Sequence, residues 1–161
     1  MPIRWRSKII LIKPEATYGV DAVPTGVNGM LMTKVSFQPM EGDDISRDLE
    51  VPFLGGQPSA PSGLYGRLKG TIELVPSGTA GVAPGWGPIA RILGLAETIV
   101  AATSVTYNPI SDNMESATLY FWIGGTRHIL LGCRGTGVLR WTAQGLPMLE
   151  VTIDGLFQTP T

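Results

Sequence analysis

His128 and Cys133 are the two residues with the most reactive side chains, and each is the only one of its type in the chain. A thiolate activated by an imidazole is a common nucleophile in hydrolases. Their spacing, however, places the two side chains on opposite faces of a regular strand, because successive side chains alternate. A zinc site would need further Cys or His ligands, which the sequence lacks. We therefore predict a sheet histidine and a small core thiol, and a protein that is not an enzyme.

Acidic residues gather in one short segment, at Glu41, Asp43, Asp44, Asp48 and Glu50. Such a group has the chemistry to hold a hard cation or to act as an acid–base pair. The spacing of its oxygens does not match a calcium-binding EF-hand loop, and Arg47 lies among the carboxylates. We favour a solvated or intersubunit charge network over a metal site.

Glycine-rich stretches occur at 63–70 and 132–137, but neither has the strand–loop–helix setting of a phosphate-binding loop. Trp86, Trp122 and Trp141 raise the alternative of a carbohydrate-binding β-sandwich with an aromatic platform. Tryptophans in such positions are more often core or interface anchors. The sequence therefore predicts no catalytic site and no cofactor.

The chain has 161 residues, of which 16% are charged and 43% are hydrophobic. An average globular domain carries about 25% charged residues, so few charges are left to keep the surface monomeric. The formal net charge of −1 and the scattered lysines and arginines exclude the basic surface of a dedicated nucleic-acid binder. We predict a single domain over 1–161 with extensive subunit interfaces.

No segment approaches the ~20 apolar residues that a membrane-spanning helix requires. The apolar run Ile9–Ile12 is too short for a signal peptide, and one cysteine cannot form an intramolecular disulfide. We therefore expect no membrane contact and a reducing compartment.

Short stretches of alternating polar and apolar residues predict strands with one buried face. These stretches cover 31–38, 68–74, 117–123, 127–131, 138–143 and 149–157. Gly124-Gly125 predicts a hairpin turn. Apolar residues at 86, 89, 90 and 93 predict one short helix, with Pro84 or Pro88 in its first turn and Gly94 at its end. The predicted fold is a mostly-β sandwich or barrel with one short α-helix.

Residues 40–67 show no sustained alternation, yet they are too apolar for a free linker. We predict a long loop that packs on a neighbouring subunit. Residues 1–12 are predicted to form an N-terminal arm or strand.

Seven segments, in order along nearly the whole chain, resemble the tail tube proteins (major tail proteins) of long-tailed bacteriophages and prophages. They are KPEATYGVDAVP at 13–24, MEGDDISRDL at 40–49, LGG at 54–56, GTAG at 78–81, PGWGP at 84–88, LGCRG at 131–135 and IDGLF at 153–157. The identification depends on their order rather than on any single motif.

The resemblance implies a virion protein whose hexameric rings stack into a hollow tube, with one sheet of each subunit completing a barrel around the lumen. DNA and a tape-measure protein would occupy that lumen, and a tail terminator and distal tail or baseplate proteins would contact the tube. Another tail structural protein, a terminator or a tube-like baseplate protein, is the nearest alternative.

Two sets of residues follow from combining this resemblance with the strand pattern. The expected lumen-facing residues are Lys34, Lys69, Thr71, Glu73, Arg134, Arg140, Glu150, Thr152 and Asp154. The expected intersubunit contacts are Asp43, Asp44, Arg47, Asp48, Phe53, Leu54 and Tyr65. Because the first set mixes both charge signs, we expect a lumen wall along which DNA slides without being trapped.

Overall fold

The computed structural model describes residues 7–52 and 55–161. Within these residues the strands are β1 Lys8–Pro14, β2 Thr33–Ser46, β3 Ser59–Glu73, β4 Leu95–Val100, β5 Ser104–Pro109, β6 Ala117–Ile123, β7 Thr126–Arg140 and β8 Met148–Phe157. The helix α1 spans Gly87–Ile92, and a short 3-10 turn spans Gly26–Asn28. The predicted mostly-β fold with one short α-helix is confirmed.

Six strands form one antiparallel sheet in the order β1-β6-β7-β8-β3-β2, and β4 and β5 form a separate hairpin. The large sheet curls so that its two edge strands approach each other. Lys8 Nζ in β1 donates a hydrogen bond to the carbonyl oxygen of Val35 in β2 at 3.1 Å. Across the inside of this curl, the Phe37 ring of β2 stacks on the Phe121 ring of β6 at 4.5 Å. The core therefore lies inside the curl.

The strand alternation predicted for β3 and β8 is confirmed by burial. Leu68 and Ile72 in β3 and Val151 and Ile153 in β8 are buried, while Lys69 and Glu73 on the other face of β3 are exposed. Thr71, predicted to lie on that exposed face, is the exception, because it is buried. Period two is preserved here because β8 pairs without interruption with β3 from Tyr65 to Glu73. The sheet thus has one core face and one polar face.

The helix and the glycine turn also follow the sequence pattern. Pro88 lies in the first turn of α1, and Gly94 after its end has φ of +85°, which glycine adopts at little cost. Gly124 and Gly125 both have positive φ between β6 and β7, as a tight hairpin turn requires. The hairpin β4–β5 was not predicted, because neither of its strands alternates regularly between buried and exposed residues.

Three predicted boundaries need correction. The two strands predicted at 127–131 and 138–143 belong to the single strand β7, which ends at Arg140. The strand predicted from Leu31 begins at Thr33, and Leu31 is 92% exposed. Of the predicted N-terminal arm or strand, residues 8–12 lie in β1, and residues 1–6 lie outside the described residues.

The loop predicted over 40–67 is shorter than expected, because β2 continues to Ser46 and β3 begins at Ser59. Only 47–58 connects the two strands. The β2–β3 register shifts between Gln38 and Glu41 and again between Glu41 and Asp43. Each shift is a bulge, after which the side chains exchange the two faces of the sheet. The amino-acid sequence of this region therefore shows no sustained alternation of polar and apolar residues.

Candidate functional site

The polar face of the sheet is built from three neighbouring strands in register. Lys69 of β3 lies opposite Thr152 of β8, which lies opposite Thr136 of β7. The nine residues predicted to face a lumen lie on the face of the sheet that carries Lys69 and Thr152, or border it. They are Lys34, Lys69, Thr71, Glu73, Arg134, Arg140, Glu150, Thr152 and Asp154. We call this surface the polar face; Thr71 is buried within it, and the other eight residues are partly or fully exposed.

Arg67 is a member of the polar face that the prediction missed. Its guanidinium makes a two-pronged contact with the Asp154 carboxylate, through Nε at 2.6 Å and Nη2 at 2.9 Å, and lies 3.5 Å from Glu41. The hydrogen bond to Asp154 raises the pKa of Arg67 further above its usual range. Extending the alternation of Lys69, Thr71 and Glu73 by two residues towards the N-terminus would have found it.

Two arginines of the polar face are paired with carboxylates of β8. Arg140 Nε donates to Glu150 Oε2 at 2.9 Å, and Arg67 holds Asp154. Arg134 donates to the carbonyl oxygen of Met114 and lies over the Tyr18 ring, 5.2 Å from its centroid. Because each carboxylate of β8 has a cationic partner, no block of a single sign crosses this surface.

The Glu15 carboxylate connects two of the segments on which the family resemblance depends. It accepts four hydrogen bonds, from the backbone N–H of Gly19 and Gly132 at 2.9 and 2.8 Å and from the hydroxyls of Ser116 and Thr118 at 2.6 and 3.0 Å. We call this arrangement the Glu15 clasp. It fastens the end of β1 to β6 and to the middle of β7.

Asp21 fastens the rest of the 15–24 segment to the sheet. The Tyr120 hydroxyl donates to the Asp21 carboxylate, and burial together with this hydrogen bond raises the pKa of Tyr120 to about 12. The Ala22 N–H donates to Thr118 Oγ1 at 3.0 Å. The segment KPEATYGVDAVP is thus held by specific polar contacts along its length.

His128 and Cys133 lie on the same, core-facing side of the sheet, which corrects the opposite-face prediction. The strand is not regular: Gly132 has φ of +60°, and the register of β7 with β8 shifts between Leu131 and Arg134. Cys133 is fully buried, and burial raises its thiol pKa. His128 packs against the rings of Phe37 and Phe121, and burial lowers its pKa. The thiolate needed for nucleophilic attack is disfavoured here.

The acidic cluster is spread along an extended segment. Asp43 and Asp44 are exposed in β2, and Arg47, Asp48 and Glu50 follow in the connection to β3. Within residues 7–52 and 55–161, no three His, Cys, Asp or Glu side chains converge on a metal-sized site.

The predicted contact residue Tyr65 lies next to the polar face, where the Arg67 guanidinium is 5.3 Å from its ring centroid. A hydrogen bond with Glu41 raises the pKa of Tyr65. The predicted contacts Phe53 and Leu54 lie outside the described residues.

A two-stranded arm extends beyond the large sheet. The pairing of β3 with β8 ends at Tyr65, so Ser59–Ser62 pair with Asp43–Ser46 of β2 alone. We call 43–52 together with 55–64 the arm. Ile45 and Leu49 expose 57% and 52% of their surface there. An isolated two-stranded ribbon is marginally stable in water, so this segment gains from packing on another surface.

The three tryptophans considered for an aromatic platform lie in different parts of the described chain. Trp86 packs against Tyr107, Trp122 packs edge-on against Tyr120, and Trp141 is 69% exposed after β7.

Within the described part of the chain, no helix is long and apolar enough to cross a membrane.

The fold is shared with chains of contractile injection systems. Over its whole length the chain matches a chain in the cryo-EM structure of the tube-terminating cap of the anti-feeding prophage, with a TM-score of 0.53, 11% identity and 91% of that chain covered. It matches a chain of the sheath–tube complex of an extracellular contractile injection system, PVC, in the extended state, with a TM-score of 0.53 and 10% identity over 99% of this chain and 90% of that chain.

A third match is a chain of the anti-feeding prophage baseplate, with a TM-score of 0.52 and 7% identity over 100% of this chain and 95% of that chain. No protein-family model matches the sequence, and no curated protein does. The fold is therefore that of chains found in sheath–tube, cap and baseplate assemblies.

Proposed function

We propose that this protein is a structural subunit of a phage-tail-like particle and acts by assembly rather than by catalysis. The observation that carries the proposal is the shared fold, which spans at least 99% of this chain and at least 90% of chains from a sheath–tube complex, a tube cap and a baseplate. The family resemblance of seven ordered segments supports the same role. The low content of charged residues, 16%, agrees with large buried interfaces in the assembled state.

Within such a particle, the favoured role is the tail tube. Six copies would form a ring, rings would stack, and the polar face of each sheet would line a lumen for the tape-measure protein and DNA. The pairing of Arg67 with Asp154 and of Arg140 with Glu150 supports this, because arginines that are already held by carboxylates bind the phosphate backbone weakly. The protein would be a virion component that assembles in the host cytoplasm.

A tube terminator or a tube-like baseplate protein is the second candidate. A specific observation favours it: of the three matches described above, two are to chains of a terminating cap and a baseplate. The two roles differ in assembly. A tube subunit offers each ring the same surface as the ring before it, so stacking continues, whereas a terminator stops after one ring.

Negative-stain electron microscopy of the purified, concentrated protein tests both roles. Hollow tubes of uniform width and variable length are the expected result. Isolated rings that never stack would transfer the assignment to the terminator or baseplate role. Amorphous or strictly monomeric protein, even after addition of a tail initiator complex, would contradict the proposal.

The lumen assignment predicts a size-dependent difference in labelling. Thr152→Cys, at the middle of the polar face, should react with a small maleimide in both monomers and assembled tubes. A maleimide on a large polymer should label the monomers but not the tubes, since it cannot enter the lumen. The assembled Cys133-only protein is the control, because its thiol is buried. Equal labelling of tubes by both reagents would place Thr152 on the outside.

A further inference from the structure

The two edge strands of the large sheet face each other across a gap. β1 and β2 stand at opposite ends of the strand order, and within the described residues no backbone pair joins them. An open cavity of about 460 Å³ lies there, lined in part by Ile10 of β1 and Val35 of β2. We call this gap the seam. Before β2 begins, the Met30 N–H donates to the Ile10 carbonyl oxygen at 2.9 Å; beyond that point, side chains hold the seam.

Three rings on the core side of the sheet join β2 to the opposite side of the curl. The Phe37 ring of β2 lies 4.5 Å from the Phe121 ring of β6 and 5.0 Å from the His128 ring of β7, measured between centroids. Phe121 and His128 are opposite each other in the β6–β7 register. We call these three residues the ring cluster. The half-buried imidazole is part of the surface on which the β2 side chain packs.

The elements packed on the imidazole bring no carboxylate to it. β6 contains no acidic or basic residue, and its titratable side chain, Tyr120, lies on the other face of that strand. The acidic residue of β2 closest in sequence to the ring cluster is Glu41, which lies 3.5 Å from an Arg67 nitrogen. β7 itself has no Asp or Glu. His128 forms no ion pair with any carboxylate of the described residues.

Basic groups, in contrast, border this region. Lys8 donates to the Val35 carbonyl oxygen across the seam, Lys34 lines the cavity, and Arg127 precedes His128 in β7. A proton on the imidazole therefore adds positive charge to a half-buried site that has no counter-ion. Burial lowers the pKa of His128, which is the direction expected for a histidine held neutral in apolar surroundings.

We propose that the ring cluster is an acid-sensitive latch, in which neutral His128 packs on Phe37 and holds the seam closed. Protonation of the imidazole weakens this packing and lets β2 move away from β6 and β7. The folded chain takes up the proton less readily than the unfolded chain, in which histidine has a pKa of about 6.5. The stabilisation is therefore complete above about pH 6.5 and is lost as the pH falls towards the folded-state pKa. The latch belongs to a single copy and does not depend on the proposed function.

Labelling of the native Cys133 thiol measures opening of the core without an engineered probe. Cys133 is fully buried, lies on the same side of the sheet as His128, and is the only cysteine. Dilute monomer is labelled with a dithiodipyridine, and the rate for free cysteine at the same pH is divided by the protein rate to give a protection factor. Between about pH 7.5 and about pH 5.5, the protection factor of the unmodified protein should fall about fivefold.

Variants of the latch show whether His128 is the titrating group. His128→Phe keeps a ring but cannot take up a proton, so its protection factor should be the same at both pH values. His128→Gln, which is polar but does not titrate, should behave in the same way. The matched control adds Gln38→His to the His128→Phe chain, which returns a histidine to β2 at an exposed position beside the ring cluster. Its protection factor should also be independent of pH.

Three outcomes would overturn the latch. Equal loss of protection in the unmodified and His128→Phe proteins would show that another group titrates. Constant or rising protection of the unmodified protein on acidification would show that the Phe37 ring holds the imidazolium as well as the neutral form. Restored pH dependence with Gln38→His would show that the ring cluster has no special role. Because monomers are measured, each of these outcomes leaves the electron-microscopy test of the proposed function unaffected.

Discussion

Replacing Glu15 with alanine is expected to lower the free energy of unfolding by about 3 kcal/mol and the melting temperature by about 10 °C. The Glu15 carboxylate is the acceptor for four donors, two of them backbone N–H groups. Alanine leaves those donors without their partner in a partly buried site. Hydrogen bonds to a charged acceptor are also stronger than neutral ones. Thermal unfolding of dilute, monomeric protein measures the effect without a contribution from assembly.

Two further variants show whether the clasp, rather than a lost charge, is responsible. Glu15→Gln keeps the side-chain length but presents an amide NH₂ to groups that are themselves donors, so we expect an intermediate loss of about 1.5 kcal/mol. Glu73→Ala removes an exposed carboxylate from the same sheet and should change stability by less than about 0.5 kcal/mol. A Glu15→Ala protein as stable as Glu73→Ala would show that the clasp contributes nothing.

Gly155→Ala is expected to lower the free energy of unfolding by about 2 kcal/mol. Gly155 is buried in β8, where a Cβ atom would lie 2.6 Å from Cys133 Sγ and 2.9 Å from Leu130 Cβ. Both distances are shorter than carbon and sulfur atoms tolerate, so β7 and β8 must move apart. Chemical denaturation of the monomer measures the loss.

A double-mutant cycle identifies the contact that causes this loss. Cys133→Ala removes the sulfur atom, so Gly155→Ala should be less harmful in that background by about 1 kcal/mol. Gly26→Ala is the control, because a Cβ there would have no atom within 4 Å; it should be neutral within about 0.5 kcal/mol. If the Gly155→Ala loss is the same with and without the Cys133 sulfur, the contact with Cys133 is not its cause.

The sequence by itself determined the faces of the strands wherever pairing is uninterrupted. Val151 and Ile153 alternate with Glu150 and Thr152, and β8 shows the same alternation in burial. The local sequence was sufficient in these places, because a regular strand with one buried face has apolar residues at every second position. The helix followed for a similar reason, since proline at its start and glycine after its end act over one turn.

Only the tertiary structure decided on which face of the sheet the residues after each bulge lie. The break at Gly132 moves Cys133 onto the core side with His128, and the shifts around Glu41 turn a predicted loop into the strands of the arm. A bulge changes the face of every later residue, and its position depends on which strand lies opposite. That information is not local, so the period of the sequence cannot supply it.

For the polar face and the Glu15 clasp, too, the sequence determined one part and the tertiary structure the other. The sequence grouped the residues of the polar face because each lies on one face of its own strand, but Arg67 joined them only through Asp154, 87 residues away. The Glu15 clasp likewise brings together groups separated by up to 117 positions. Sequence pattern determined which side chains are polar and on which face they lie. Only the order of strands in the sheet decided which of them meet, because hydrogen bonds form between neighbours in space.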